Sequence, residues 1–272
     1  MKQFIKSLIP PILIDLFRKS HFTKYGWHGE YKTWKEAESL STGYDADEIL
    51  KKVRESALKV KNGKVIYERD SFIFDEIEYS WPLLAGLMFA SARFGGSIKV
   101  LDFGGSLGTT YFQNKKFLDN FQDVSWNIVE QKHFGNVGKI DFEDERLKFY
   151  YNIKSCIENE KPNILLLSSV LQYISKPYDL LNELLKNNFE IILIDRTMFS
   201  KTNKKIKLQS VPPKIYKASY PCWFLDELEF INYFENNNYN IIESFETLGG
   251  QSREYIFKGF IAKKMYKKFI NV

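Results

Sequence analysis

From Ser97 onward, short apolar runs bounded by turn residues alternate with helical stretches, and this alternation most constrains the fold. The runs are IKVLDF, VSWNIVE, LKFYY, NILLLSS and EIILIDR. Between them lie TYFQNKKFLDNF, a crossover after Ile153, and PYDLLNELLKNN. Strands that alternate with helices pair in parallel through crossover connections. After a basic loop and the VPPKIY turn, DELEFINYFENNN reads as a further helix. YNIIESFET and YIFKGFIAKK then read as two strands joined by a LGGQSRE loop, close enough in sequence to form a hairpin. The pattern predicts a Rossmann-like, doubly wound α/β domain with a mostly parallel sheet and a C-terminal antiparallel hairpin.

The part before residue 96 has a different character. It reads as helical and irregular, which divides the chain into an extension, residues 1–95, and a main domain, residues 96–272. In STGYDADEILKKVRESALKV the apolar positions recur near the helical period, and Asp45 or Asp47 caps the start. Pro82 to Ala92 reads as a buried helix with Pro82 in its first turn and Gly95-Gly96 at its end. The first residues, MKQFIKSLIPPILIDLFRK, place Phe4, Ile5, Leu8 and Ile9 on one helical face. A second short helix opening at Pro11 carries Ile12, Leu13, Leu16 and Phe17. Lys6, Asp15 and the proline pair exclude a membrane span, which needs about 20 apolar residues. Helices docked on the main domain are the expectation, with peripheral membrane contact as the alternative.

The motif that carries chemistry is Val100-Leu101-Asp102-Phe103-Gly104-Gly105-Ser106-Leu107-Gly108. A strand ends in an acid, turns through glycines and enters a helix, whose free N–H groups face a ligand. The dinucleotide pattern G-x-G-x-x-G fails here from either glycine. The spacing D-x-G-x-G-x-G used to bind S-adenosylmethionine (SAM) is met at Asp102, Gly104 and Gly108, with Ser106 in place of the middle glycine. Glu130 ends the second strand, where an acid binds both ribose hydroxyls, and Gln131 follows it. Ser168 and Ser169 end the fourth strand, and Asp195-Arg196 the fifth, on the rim where open α/β sheets bind ligands.

Composition narrows the function classes. The net charge is +5, with lysines bunched at 201, 204, 205 and 207 and again at 263, 264, 267 and 268. Such runs are solvated faces or attract an anionic partner, a membrane surface or a phosphate-bearing substrate. No nucleic-acid-binding signature accompanies them. Cys156 and Cys222, and the three histidines, lie outside any metal-ligand spacing, so no metal is expected and both thiols read as reduced. Aromatics reach 16%, enough to fill a core and to stack on a ring such as adenine.

Together YSWPLLAGLM, VLDFGGSLGTTYFQ, WNIVEQKHFGNVGK, LLLSSVLQYI, IILIDRTMF and VPPKIYKASYP resemble a family of bacterial methyltransferases. Its members come typically from gene clusters for surface polysaccharides such as O-antigen and capsule. The similarity runs from roughly Trp27 to the last strand. It implies a class I methyltransferase fold of seven strands and SAM as methyl donor. The cradle it implies comprises Asp102, Gly104, Gly105, Ser106, Gly108 and Glu130. Gln131, Ser168, Ser169 and Gln172 join it as expected cofactor contacts. Ser106 and Gln172 depart from the broad class I pattern, which often has a Leu-His pair at the second position. The acceptor is expected to be a small molecule or a glycan, including a lipid-linked one, in a cytoplasmic setting. If it is a sugar hydroxyl, a general base helps; the candidates are Asp195 first, then His133, with Glu68 or Asp70 behind them. The YERDSFIFD segment reads as a lid over the cofactor or as packing for the N-terminal helices.

Overall fold

The computed structural model describes residues 25–42, 46–69, 71–213 and 215–266. The two expected N-terminal helices, Asp45, Asp70, Lys267 and Lys268 lie outside the described residues.

In chain order the elements are β1 (Gly26–Tyr31), α1 (Trp34–Ser39), α2 (Ala46–Lys61), β2 (Tyr67–Arg69), β3 (Phe72–Phe74) and α3 (Trp81–Arg93). There follow β4 (Ser97–Phe103), α4 (Thr109–Leu118), β5 (Asp123–Val129), α5 (Lys132–Val137), β6 (Leu147–Tyr150), α6 (Ile153–Glu160) and β7 (Ile164–Ser168). The last are α7 (Pro177–Leu185), β8 (Ile191–Ser200), β9 (Lys205–Ser210), β10 (Ser219–Phe224), α8 (Glu227–Asn236), β11 (Tyr239–Gln251) and β12 (Tyr255–Lys264). A 3-10 turn, Leu171–Tyr173, follows β7.

The main sheet has seven strands in the order β11-β12-β8-β7-β4-β5-β6. Strands β4 to β8 pair in parallel, and β12 runs antiparallel to both β8 and β11. The apolar runs become strands because both faces of this sheet are covered. Along β7, Ile164 and Leu166 join one core, and Leu165 and Leu167 the other; Ile191, Leu193 and Ile192, Ile194 on β8 divide the same way. The first core takes Val53 of α2, Leu87 of α3, Tyr111 of α4 and Phe134 of α5. The second takes Cys156 of α6, Leu184 of α7 and Phe234 of α8. Each such fully buried Leu or Phe contributes about 1.5–3 kcal/mol.

Two expectations change. The 205–224 stretch is no basic loop: β9 and β10 pair antiparallel, and β1 joins the far side of β9, giving a separate three-stranded sheet. Ile206 and Leu208 alternate along β9, a period that the intervening lysines hide. The stretch before Ser97 likewise contains β1, β2 and β3 besides its helices. The final hairpin is longer than expected, because β11 runs to Gln251 and leaves only 252–254 as the turn.

The chain steps from β4 to β5 and β6 on one side, then returns to β7 and β8 on the other. The topological switch point therefore lies between β4 and β7, and ligands of such sheets bind outside the strand ends there.

Candidate functional site

Asp102, the last residue but one of β4, has 1% of its surface exposed. Its Oδ2 accepts a hydrogen bond from Trp126 Nε1 at 3.0 Å, while Oδ1 is buried without a partner. Burial pushes its pKa up to about 7; the Trp126 bond opposes this and the Glu130 charge adds to it. The turn beyond fits closely around that carboxylate. A Cβ on Gly105 would lie 2.4 Å from Asp102 Oδ2. Gly104 has φ +72°, and a Cβ there would lie 2.6 Å from Val170 Cγ2, in the loop that leaves β7. The turn thus faces the β7 loop directly across the switch point. Gly108 is the N-cap of α4.

Ser106 has φ +54°, which explains why a glycine is usual at its position. Its N–H donates to Glu130 Oε1 at 3.1 Å, and the Gln131 N–H donates to Glu130 Oε2 at 2.8 Å. These two bonds hold the Glu130 carboxylate beside the turn; burial raises its pKa and the bonds oppose that. Gln131 is the exposed N-cap of α5. His133, in the first turn of α5, is half-buried and has its Nε2 buried without a hydrogen-bond partner.

On the other side of the switch point, Asp195 is 3% exposed. Ser80 Oγ donates to its Oδ1 and Ser168 Oγ to its Oδ2, each at 3.2 Å, and Arg196 Nε lies 3.6 Å from Oδ2. Burial raises its pKa, against the Arg196 charge and the serine bonds. The carboxylate therefore ties the start of α3 to the end of β7 and the middle of β8. Ser169, just past β7, and Arg196, inside β8, have positive φ, 56° and 48°. Strand β8 runs on to Ser200, paired with β12 through an irregularity in register, so Asp195-Arg196 does not end the fifth strand as expected. Gln172 is completely buried; its Nε2 donates to Ser169 Oγ at 3.4 Å and to the Arg196 carbonyl at 3.1 Å. Its place is beneath the rim, tying the loop after β7 to β8, with Oε1 left unpaired.

The predicted donor-side residues 102–108, Glu130 and Gln131 come together, and Ser168, Ser169 and Asp195 form a second group. His133 and Asp195 are not brought together. His133 stands just beyond β5 and Asp195 on β8, three strand spacings or about 14 Å apart across the sheet. Glu68 is buried on β2 and accepts from Thr109 Oγ1 at the start of α4 and from the Ser71 N–H at 3.2 Å. Gln113 of α4 donates to Tyr67 Oη at 3.2 Å and to the Glu78 carbonyl at 2.6 Å. The YERDSFIFD hairpin is thus fastened to the helix that leaves the glycine turn.

Sequence reasoning missed Trp126 and Ser80 as partners. Trp126 alone carried a signal: paired against Val100, it lies on the same sheet face as Asp102 two positions on. The lysine run is matched by nearby partners. Lys204 meets Glu229, Lys205 meets Glu30 and Lys207 meets Glu254, at 2.9, 3.1 and 2.5 Å, while Lys201 donates to Gln251. Both cysteines are buried and free, and burial pushes their thiols up, Cys156 to about 12. No helix among the described residues is long and apolar enough to cross a membrane.

No protein-family model matches the sequence, and a search of curated proteins finds no match. Among solved structures the chain is similar to the N-terminal domain of EvdMO1, crystallised in the presence of S-adenosylhomocysteine (SAH) and D-fucose. The TM-score is 0.50 at 14% identity, over 82% of this chain and 98% of that one. The fold is that of a class I methyltransferase. Similarity extends to the 1,6-didemethyltoxoflavin-N1-methyltransferase of Burkholderia thailandensis, with TM-score 0.44, 12% identity, and 89% and 100% of the two chains covered. It also extends to the glycopeptide N-methyltransferase MtfA complexed with sinefungin, with TM-score 0.46, 10% identity, and 67% and 94% covered.

Proposed function

We propose that this class I fold is a working SAM-dependent methyltransferase whose acceptor is a sugar hydroxyl in surface-polysaccharide assembly. The observation that carries the reading is the pair of carboxylates at the switch point. Asp102 keeps a buried oxygen without a partner, and Glu130 stands one strand away beside a turn that admits no Cβ at Gly104 or Gly105. A ligand with a cationic amino group and vicinal hydroxyls satisfies both, so the residues fit SAM. The EvdMO1 domain, crystallised with SAH and D-fucose, supports the sugar acceptor, and so does the family resemblance.

Bound there, SAM supplies a methyl group on a sulfonium, an activated leaving group. The chain's own work is then to bind and to align. Asp102 and Glu130 hold the donor, with Gly104, Gly105, Ser106 and Gly108 giving close backbone approach. His133 stands on the Glu130 side, and we assign its unpaired Nε2 to the nucleoside end of the donor instead of to proton transfer. Ser168 and Ser169 line the rim, and Gln172 fixes them from below. The N-terminal extension, residues 1–95, supplies a lid through the β2–β3 hairpin, fastened by Glu68 to Thr109.

Asp195 stands on the acceptor side, and its raised pKa suits a base. Asp195→Asn is expected to keep SAH affinity within about twofold and to lower turnover about a hundredfold. Unchanged turnover would leave Asp195 only its clamp between α3, β7 and β8.

The first test is calorimetric titration with SAH and, separately, NADH. Saturable binding of SAH alone supports the reading; binding of NADH alone replaces it with a dinucleotide enzyme. D-fucose is the first acceptor to try with labelled SAM. The glycan is free or lipid-linked under this reading, and residues 1–24 are where membrane contact belongs. Cosedimentation with anionic vesicles, compared with a chain lacking those residues, measures that contact.

A further inference from the structure

The sheet of β1, β9 and β10 turns one face toward the end of the main sheet. Antiparallel register sets Trp27, Gln209 and Tyr220 side by side on that face. Gln209 Oε1 accepts two hydrogen bonds, from Trp27 Nε1 at 3.1 Å and from Tyr173 Oη at 3.0 Å. An indole N–H can only donate, so the amide cannot be turned over: its oxygen must face Trp27. The NH2 is thereby fixed in direction, yet it donates to no described residue, and Gln209 is only half-buried.

This amide lies close to the switch point. Tyr173 ends the 3-10 turn whose first bond runs from the Tyr173 N–H to the Val170 carbonyl, and Val170 is the side chain against Gly104. The Tyr173 ring meets the Tyr220 ring edge-on at 5.4 Å, and Tyr220 Oη lies 3.4 Å from Tyr216 Oη. The cations on the same face of β9 are neutralised, Lys205 by Glu30 and Lys207 by Glu254. An anion would call for open arginine or lysine donors. What this surface offers is flat rings, phenol hydroxyls and one oriented amide.

We propose that Gln209 recognises the acceptor, donating from Nε2 to an oxygen of a neutral, polyhydroxylated ring seated beside Tyr173 and Tyr220. This inference rests on the methyltransferase reading. Gln209→Glu tests it: a carboxylate still accepts from Trp27 and Tyr173, but the two donors are gone.

SAH-saturated protein is titrated calorimetrically with free hexoses, 6-deoxyhexoses and their nucleoside-diphosphate derivatives. The wild type is expected to bind at least one, and Gln209→Glu to weaken that binding about tenfold or more. SAH affinity and melting temperature stay unchanged. Tyr173→Phe, which removes one of the two bonds that orient the amide, is expected to weaken the same binding about threefold. The proposal is overturned if both variants bind the sugar like the wild type. It is equally overturned if the SAH-loaded wild type binds none of the sugars. Failure of the wild type to bind SAH at all overturns the methyltransferase reading itself, a separate result in the same titrations.

Discussion

Asp102→Asn is expected to abolish SAH binding and, at pH 8, to make the ligand-free protein more stable. The carboxylate is buried, and its pKa rises from 3.8 to about 7 on folding. Between those values the folded chain keeps a proton that the unfolded chain has released. Its contribution to stability is therefore whole below about pH 4 and is lost as pH rises through about 7. The ionised form costs roughly 4 kcal/mol above that range. Asparagine carries no such charge and can still accept from Trp126, although its buried NH2 group, left unpaired, costs about 1–3 kcal/mol. The net gain is about 2 kcal/mol at pH 8, a rise of several degrees in melting temperature. At pH 5 the gain should vanish. Calorimetry at the two pH values, with and without SAH, checks both halves. In the wild type, SAH affinity should fall as pH drops through about 7. A variant that melts lower than the wild type at pH 8 would contradict the argument.

Gly105→Ala is expected to damage the same place by crowding it. The new Cβ would lie 2.4 Å from Oδ2 and 2.5 Å from Cγ of Asp102, a carboxylate already held by Trp126. Overpacking of this kind costs about 1–3 kcal/mol, and SAH affinity should fall at least a hundredfold because the turn must shift. The cause can be isolated. If the clash is with the carboxylate, Asp102→Ala combined with Gly105→Ala should melt above Gly105→Ala alone. Additive losses would place the damage elsewhere in the turn.

The strands of the main sheet were legible because their apolar runs are unbroken, and Asp102 and Glu130 because they close two of those runs. Sheet β1-β9-β10 was not legible. Lysines at 205 and 207 mask the Ile206–Leu208 alternation, and the partner strand lies far back in the chain. Ser106 could be read only as a departure; its positive φ and its bond to Glu130 show how a serine holds a glycine's conformation. The Asp195 clamp was hidden for another reason. Ser80 is 115 residues away in sequence, and nothing local marks a serine at the head of α3 as the partner of an acid on β8. Gln209 gave no signal either, since an amide's role is set by which groups its oxygen must face.

The pairing of β1 with β9 also dictates an order of assembly. Trp27 bonds to a residue 182 positions later, across all the parallel strands of the main sheet. During synthesis at about 5–20 residues per second, β1 waits on the order of ten seconds or more before its partner strand has been made. Such distant pairings come late, because the intervening chain must close its loop first. The donor-side turn, built from segments near one another in sequence, can be in place before the surface above it exists. A nascent or truncated chain ending before residue 205 would thus carry the glycine turn and both of its carboxylates, but with β1 left as an unpaired strand.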